Sequence, residues 1–142
     1  MISTLDEVGT SQTLGGMVKT VRVLYTSRRE FDSDGRGEEI LFETRLRAIS
    51  HKWERHENVD YKYSFFETSG QAGEEESMPS NMSSHSRRIS KDDLFEALGP
   101  EDGRANTVVY VCGLPSMTDE FVELLKTAPG MEEKRVLCEK WW

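Results

Sequence analysis

The segment Val-Val-Tyr-Val-Cys-Gly-Leu-Pro-Ser-Met at 108–117 holds the residue types best suited to ligand chemistry in this chain. An apolar run ends at Cys112, and a glycine and a proline follow it. Gly113 lets the backbone approach a ligand closely or adopt a positive φ, and Pro115 stiffens the turn. A helix beginning here would direct free N–H groups and its positive dipole end toward the same crevice. The alternative for Cys112 is a small buried hydrophobe.

Two other segments fall at predicted strand ends, where open α/β sheets bind ligands. They are Thr26-Ser27-Arg28-Arg29 and Phe66-Glu67-Thr68. Arg28 and Arg29 could contact the phosphate or ribose of an adenosine, and the alternative is a solvated loop. Phe66 and Thr68 are weaker candidates, because an aromatic residue at a strand end is usually part of the core.

Arg87-Arg88-Ile89-Ser90 matches the target motif of kinases that select basic residues. Such tetrapeptides are common by chance. Ser90 also precedes a predicted helix, and with Asp93 it resembles a capping box in which Asp replaces the usual Glu. The cap explains Ser90 more economically. A phosphate at this position would favour the helix N-terminus electrostatically.

The elements that must position these segments alternate between helix and strand, which predicts an α/β fold with a parallel sheet. Apolar periodicity places Phe42, Leu46, Ile49 and Trp53 on the buried face of one helix. Residues 69–88 are rich in Ser, Glu and Gly and are expected to form a flexible insertion. The predicted helices cover 2–8, 38–53, 91–98 and a stretch from Ser116 or Thr118 to 128; the predicted strands cover 21–26, 59–66 (a sheet edge), 107–112 (a central strand) and 135–142.

Composition limits the possible functions. The 142 residues suit one domain, and the net charge of −8 argues against a nucleic-acid partner. Cys112 and Cys138 are the two cysteines, too few for a disulfide framework, and their spacing fits no metal site. No apolar run approaches the roughly 20 residues of a membrane helix. The P-loop, G-x-S-x-G and G-x-G-x-x-G motifs are absent.

The segment Val-Tyr-Val-Cys-Gly-Leu-Pro-Ser-Met-Thr-Asp at 109–119 resembles the Cys-Gly-x-Pro-x-Met loop of the ferredoxin reductase superfamily, which includes the cytochrome b5 reductase type. Residues 23–28 look like the second strand of the same lobe. Residues 88–90 match its Gly-Arg-Ile segment, with Arg87 in place of the glycine. The ending Cys-Glu-Lys-Trp-Trp at 138–142 is similar to that of oxidoreductase NAD-binding domain-containing proteins, a mitochondrial branch. The resemblance covers roughly residues 20–142.

The resemblance implies a three-layer, Rossmann-like parallel sheet flanked by helices, which forms a nicotinamide-binding lobe. This lobe would position NADH, or NADPH, for hydride transfer to a flavin. Cys112 would lie near the hydride-transfer site and be the catalytic residue. Trp142 would face the flavin or nicotinamide, unless it only packs at the edge of the last strand. The implied cofactor-binding residues are Thr26, Ser27, Arg28, Cys112, Gly113, Leu114, Pro115, Met117 and Trp142.

Two parts of the family pattern are missing: the Gly-x-Gly-x-x-Pro turn after the first strand, and the flavin-binding barrel with its Arg-x-Tyr-Ser motif. Residues 1–5 match the helix that follows that turn, so the resemblance implies a partial lobe without its first strand. FAD would be held only by a flavin domain that this chain lacks. Because the missing strand lies beside 21–26 and 107–112, we expect unpaired strand edges, poor stability and weak NADH binding.

Other functions remain open at this stage. The chain could be a non-catalytic binding or regulatory module that has lost the flavin domain, or a truncated gene product with no independent role. Arg28 and Arg29 favour the 2′-phosphate of NADPH, whereas the adjacent Glu30 and the resemblance favour NADH. The resemblance implies a mitochondrial location, and the alternative is the cytoplasm, since the N-terminus shows no targeting segment.

Overall fold

The computed structural model describes residues 18–35, 37, 40, 42–55, 58–69 and 78–140. They divide into two compact units, one ending at Arg88 and one beginning at Ile89. Both units combine helices with parallel strands, which confirms the α/β class. The described strands form two sheets where the sequence predicts one. No helix in these ranges is long and apolar enough to cross a membrane. The predicted helix over 2–8 lies outside them.

The described residues of the first unit form a three-stranded parallel sheet and one helix. Its strands are β1 (Thr20–Ser27), β2 (Asp60–Glu67) and β3 (Met82–His85), in the order β1-β2-β3. Helix α1 (Glu43–Glu54) lies between β1 and β2 in the sequence. Most residues of β1 are β-branched or aromatic, which favours a strand and confirms the prediction over 21–26.

The structure corrects the predicted start of α1. Phe42, predicted to lie on the buried face, has a φ of 67° and is 40% exposed. A left-handed residue cannot continue a helix, so α1 begins at the next residue. The Glu43 N–H donates to the carbonyl of Ile40 at 3.0 Å and closes a turn before the helix. Ile40 is 4% exposed and belongs to the core in place of Phe42.

The core of the first unit lies between α1 and the sheet. Trp53 stacks on Tyr61 with ring centroids 6.1 Å apart. Burial of each large apolar side chain contributes roughly 1.5–3 kcal/mol. The helical spacing of the α1 residues and the alternation along β2 therefore build one core, with all but Phe42 of the predicted helix face buried. Its central members are Leu46, Ile49, Trp53, Tyr61, Tyr63 and Phe65.

The structure corrects the sequence predictions for β2 and for residues 78–88 of the expected insertion, while residues 70–77 lie outside the described residues. β2 has a hydrogen-bonded neighbour on both sides, so it is the central strand of its sheet and not an edge. Its second neighbour, β3, lies within the segment predicted to be a flexible insertion. The Ser-rich sequence of β3 does not indicate a strand, because only Met82 in this strand supplies a buried apolar side chain.

The described residues of the second unit form two helices, two short 3₁₀ turns and a two-stranded parallel sheet. Helix α2 (Lys91–Leu98) is confirmed as predicted, and its capping box is present: the Ser90 N–H donates to Asp93 Oδ2 at 2.7 Å, and the Asp93 N–H donates to Ser90 Oγ at 3.3 Å. The elements in order are α2 (Lys91–Leu98), the turn Glu101–Asn106, β4 (Val109–Gly113), α3 (Pro115–Lys126), the turn Glu133–Arg135 and β5 (Val136–Lys140).

β4 is less enclosed than its apolar sequence predicts. Within the described residues β5 is its one hydrogen-bonded neighbour, so β4 is not the central strand that the sequence predicts. Val108, just before β4, is 60% exposed, and Tyr110 within it is 37% exposed. β1 likewise pairs with a described strand on one side only. Each sheet therefore ends in a strand with an open edge among the described residues.

Arg104 links the C-terminal ends of α2 and α3 in the second unit. Its Nε donates to the carbonyl of Gly99, just after α2, at 3.0 Å. Its Nη1 donates to the carbonyl of Pro129, just after α3, at 2.9 Å. These hydrogen bonds satisfy the carbonyls of two residues that follow the helices. The nearly buried guanidinium therefore holds the two helix ends together.

Candidate functional site

The junction between β4 and α3 is the candidate site. α3 begins at Pro115, in the first helical position, where the missing N–H of proline costs no hydrogen bond. The cap position is Leu114, which offers no side-chain hydrogen bond. The prediction that Ser116 or Thr118 caps this helix is therefore wrong. Thr118 is already inside the helix, where its N–H donates to the Leu114 carbonyl at 2.9 Å.

The N-terminus of α3 has no side-chain cap. Leu114, the cap residue, is 66% exposed and makes no side-chain hydrogen bond to the first turn. The first N–H groups of a helix have no partner within it and carry partial positive charge. The helix has 12 residues, enough for an oriented dipole. An acceptor group, such as a carboxamide oxygen or an anion, fits this end of α3 electrostatically.

Gly113 is explained by packing and not by backbone strain. The glycines with positive φ among the described residues are elsewhere in the chain. A Cβ on Gly113 would collide with the terminal methyl group of Met117, one turn into α3. The space beside Gly113 is therefore occupied by Met117 itself. Close approach by a ligand from this direction would require the flexible Met117 side chain to move.

Cys112 lies on the sheet face opposite α3. Side chains alternate along a strand, so Cys112 and Gly113 point to opposite faces, and Met117 of α3 covers the face of Gly113. The register pairs Cys112 with Glu139 of β5, which places both side chains on the same face. Tyr110 shares this face, and its hydroxyl donates to Glu139 Oε2 at 2.5 Å. Cys112 is half-buried in this group.

The surroundings of Cys112 favour a neutral thiol. Partial burial raises the pKa of Cys112, and the negative charge of Glu139 raises it further. The hydrogen bond to Glu139 also raises the pKa of Tyr110, to about 12. Since the thiolate is the nucleophilic form of cysteine, Cys112 is poorly suited to covalent catalysis. A protonated thiol beside a ligand ring is compatible with a contact role.

Glu139 and Tyr110 are site residues that the sequence analysis missed. Both lie within segments used for the family resemblance, but neither belongs to the Cys-Gly-x-Pro-x-Met motif. Only the β4–β5 register brings Glu139 opposite Cys112. Cys138 pairs with Val111 and so points to the other face, where it is exposed and free.

At the carboxyl end of β1, the three predicted cofactor residues have different roles. The Thr26 hydroxyl donates to the Phe66 carbonyl at 3.2 Å, and the Ser27 carbonyl accepts the N–H of Thr68 at 3.1 Å. Both groups tie β1 to β2. Arg28 is exposed and pairs with no acidic residue in the described part of the chain. The Arg28 side chain is therefore available to a ligand.

Arg29 differs sharply from its neighbour. Its Nη2 lies 3.0 Å from Glu43 Oε2, and its Nε lies 3.5 Å from Glu67 Oε1. The side chains of Glu43 and Glu67 are 12% and 7% exposed, so these ion pairs are largely shielded from water. Arg29 therefore joins β1, α1 and β2, and the sequence-based suggestion that it contacts a phosphate loses its basis.

Phe66 is a core residue, as its position at a strand end suggests. It is 1% exposed, and His85 of β3 stacks on its ring at a centroid distance of 4.7 Å. The guanidinium of Arg87 lies 5.2 Å from the same ring. Glu67 accepts a hydrogen bond from the hydroxyl of Ser69 at 2.6 Å. These contacts close the carboxyl end of the sheet in the first unit.

The structure thus brings one predicted group together and leaves the others separate. Cys112, Gly113, Leu114, Pro115 and Met117 meet at the β4–α3 junction of the second unit. Thr26, Ser27 and Arg28 share the end of β1 in the first unit. Trp142 lies outside the described residues.

Comparisons of the chain with protein-family models, curated protein sequences and solved structures give no match. Residue chemistry and geometry therefore carry the functional inference.

Proposed function

We propose that this chain is the nicotinamide-binding lobe of a flavin-dependent NAD(P)H oxidoreductase, similar to the ferredoxin reductase superfamily. The observation that carries the proposal is the β4–α3 junction. There a cysteine at the end of a parallel strand is followed by a glycine and by a helix whose N-terminus has no side-chain cap. Ligands of open α/β folds bind at such strand ends. In relatives of this type a separate domain holds the flavin.

The residues at this junction fit a nicotinamide. Pro115 and Leu114 leave the first N–H groups of α3 without a side-chain partner, which suits the carboxamide of the ring. Cys112 offers a half-buried, protonated thiol, which can contact an aromatic ring without attacking it. When bound, the nicotinamide supplies the hydride. The chain's own contribution is to orient the ring and to exclude water from one side of it.

Glu139 adds electrostatics to this proposal. Its carboxylate is held by the hydroxyl of Tyr110 on the same sheet face as Cys112. A fixed negative charge at this position would favour the positively charged form of a nicotinamide ring held there. Arg28, exposed at the end of β1, is assigned to the adenosine ribose or phosphate. NADH remains the assigned form, with NADPH as the alternative that Arg28 also accommodates.

The alternative function is a non-catalytic binding module. One observation favours it: the described strands form two sheets, each with an open edge, and not the single sheet of a complete nucleotide-binding lobe. A module of this kind would bind a protein partner and no NADH. A mitochondrial location stays part of the proposal, and it rests on the family resemblance alone.

Amide chemical shifts measured during ligand titration test the proposal. NADH and nicotinamide mononucleotide are each expected to shift the amides of residues 112–118. ADP-ribose, which lacks the nicotinamide, is expected to shift the amides of residues 26–28 and not those of 112–118. Arg28→Gln should weaken the response of residues 26–28 to ADP-ribose, with Arg45→Gln, on the exposed surface of α1, as the control. If no ligand shifts 112–118 at millimolar concentration, the non-catalytic alternative is favoured.

A further inference from the structure

The connection between β3 and α2 carries a concentration of positive charge in an acidic chain. The chain has a net charge of −8, yet residues 78–91 contain no Asp or Glu. Arg87, Arg88 and Lys91 lie within this stretch, and all three are exposed. A local cationic peptide of this kind suits an enzyme whose active site presents carboxylates, because these bind arginine through paired, charge-assisted hydrogen bonds.

Two serines have an arginine three residues before them, and each directly follows an isoleucine. The sequences are Arg47-Ala48-Ile49-Ser50 and Arg87-Arg88-Ile89-Ser90. Kinases that select basic residues recognise arginine at this position in an extended peptide. The linear motif makes both serines candidates, with Ser90 favoured by its second arginine. In the structure, the two serines differ much more strongly, because only one of them is accessible.

Ser50 is inaccessible to any enzyme while the first unit is folded. It lies inside α1 and is 0% exposed. Its hydroxyl donates to the Leu46 carbonyl at 3.0 Å, and its own carbonyl accepts a hydrogen bond from Asn81 Nδ2 at 2.8 Å. Phosphorylation of Ser50 would require α1 to leave the sheet and unwind.

Ser90 has the opposite environment. It is exposed, and its backbone is extended with φ −100° and ψ 169°. Residues 86–90 belong to no helix or strand. The Ser90 hydroxyl donates to Asp93 Oδ2 at 2.7 Å, and both partners are at the protein surface. Opening this capping contact releases the hydroxyl without disturbing a buried residue.

We propose that Ser90 is a phosphorylation site for a serine kinase that selects basic residues, with Arg87 and Arg88 as its recognition elements. The γ-phosphoryl group of ATP is transferred to Ser90 Oγ. The bond from Oγ to phosphorus forms, and the bond from that phosphorus to the β,γ-bridging oxygen breaks. ADP leaves, and the hydroxyl proton passes through the kinase base to solvent. This site is independent of the nicotinamide site.

Phosphorylation would exchange one helix cap for another. The added group carries about −1.5 to −2 charges and repels the adjacent carboxylate of Asp93. Asp93 then gives up its hydrogen bond from the Ser90 N–H, which is 2.7 Å long in the unmodified chain. Phosphate oxygens replace Ser90 Oγ as acceptors for the N–H groups at the start of α2. The modified residue therefore stays at the helix N-terminus but disrupts the capping box.

The test is incubation of the full chain with a purified serine kinase of the cAMP-dependent type and Mg²⁺–ATP, followed by peptide mass spectrometry. One phosphoryl group is expected, at Ser90, with Ser50 unmodified. Arg87→Gln combined with Arg88→Gln should lower the initial rate at least roughly tenfold, which corresponds to about 1.4 kcal/mol of recognition. Synthetic peptides covering 44–53 and 84–93 serve as unfolded controls.

Ser90→Asn provides a folded variant that accepts no phosphate, because asparagine is also a good helix cap. It should abolish labelling while α2 remains protected from amide exchange, whereas Ser90→Ala also removes the cap and should make the amides of α2 exchange faster. Three outcomes would overturn the proposal: labelling of the 84–93 peptide but not of the chain, equal labelling of Ser50 and Ser90 in the chain, or a rate unaffected by removal of both arginines.

Discussion

The two cysteines lie on opposite faces of the second sheet, because Cys138 pairs with Val111, the residue before Cys112. Their side chains therefore have different surroundings. Cys112 shares a sheet face with Glu139 and Tyr110, whereas Cys138 points to the other face and is exposed. Burial first, and the Glu139 charge second, raise the pKa of Cys112. A raised pKa keeps the thiol protonated at neutral pH, and thiolate appears only at higher pH.

We therefore expect Cys138 to react with iodoacetamide several-fold faster than Cys112 at neutral pH. The rate at Cys112 should continue to rise at alkaline pH, because its thiolate forms late. Glu139→Gln removes one cause of the raised pKa and should speed alkylation of Cys112, whereas Glu133→Gln should not. Mass spectrometry of each cysteine peptide across the neutral to alkaline range measures the rates. Faster reaction of Cys112 at neutral pH would contradict this description.

Arg28 and Arg29 offer a second contrast at the residue scale. Arg29→Met removes one ion-pair partner from each of two shielded carboxylates, Glu43 and Glu67, and should destabilise the first unit by about 2 kcal/mol. Arg28→Met changes an exposed side chain and should alter stability by less than about 0.5 kcal/mol. Urea unfolding measures both. Equal effects of the two substitutions would refute the division between a structural and an available arginine.

At the element scale, the turn after α3 depends on one glycine. Gly130 has a φ of 77°, and a Cβ there would collide with the carbonyl oxygen of Glu101 in the first 3₁₀ turn. A Cβ on Gly103 would meet no atom within 4 Å, and the φ of Gly103 is not positive. The two glycines therefore form a matched pair in the same unit.

Gly130→Ala should destabilise the second unit by about 1–3 kcal/mol, because the substitution combines backbone strain with a collision against backbone. Gly103→Ala should be neutral or slightly stabilising, because it only restricts the unfolded chain. The urea midpoints of both variants, followed by fluorescence, give the comparison. A neutral Gly130→Ala would show that this turn and the Glu101–Asn106 turn do not approach as described.

Local signals predicted most elements correctly. The Ser90–Asp93 spacing gave the capping box, and the apolar spacing of Leu46, Ile49 and Trp53 gave the buried face of α1. Local signals failed where tertiary contacts decide. β3 has few apolar residues and is a strand because it pairs with β2. The left-handed conformation at Phe42 leaves no pattern in the sequence.

The candidate site was predictable only in part. The Cys-Gly-x-Pro motif located the β4–α3 junction, and helix α3 follows it as expected. The motif could not reveal Glu139, because the β4–β5 register depends on pairing between residues far apart in the chain. It also could not reveal that Met117 fills the space beside Gly113.

At the scale of the whole molecule, β1 and β4 each have an open edge among the described strands. We expect these open edges to lower the stability of the fold. Unpaired backbone groups at a strand edge must be solvated or paired with another chain, and they limit stability. We expect the isolated chain to melt at low temperature over a broad range. NADH at a concentration equal to its dissociation constant would stabilise it by only about 0.4 kcal/mol.

Thermal melting with and without NADH, followed by circular dichroism, tests this expectation. A cooperative melt at high temperature with strong stabilisation by NADH would contradict the low stability expected from the open strand edges. That result would leave the nicotinamide site itself in place.

Protection of Cys112 from alkylation by NADH tests the central proposal most directly. The nicotinamide is assigned to the β4–α3 junction, so saturating NADH should slow iodoacetamide reaction at Cys112 several-fold. Cys138, on the opposite sheet face, should react at an unchanged rate, and ADP-ribose, which lacks the nicotinamide, should protect neither cysteine. Unchanged reaction at Cys112, or equal protection of both cysteines, would contradict a nicotinamide site at this junction.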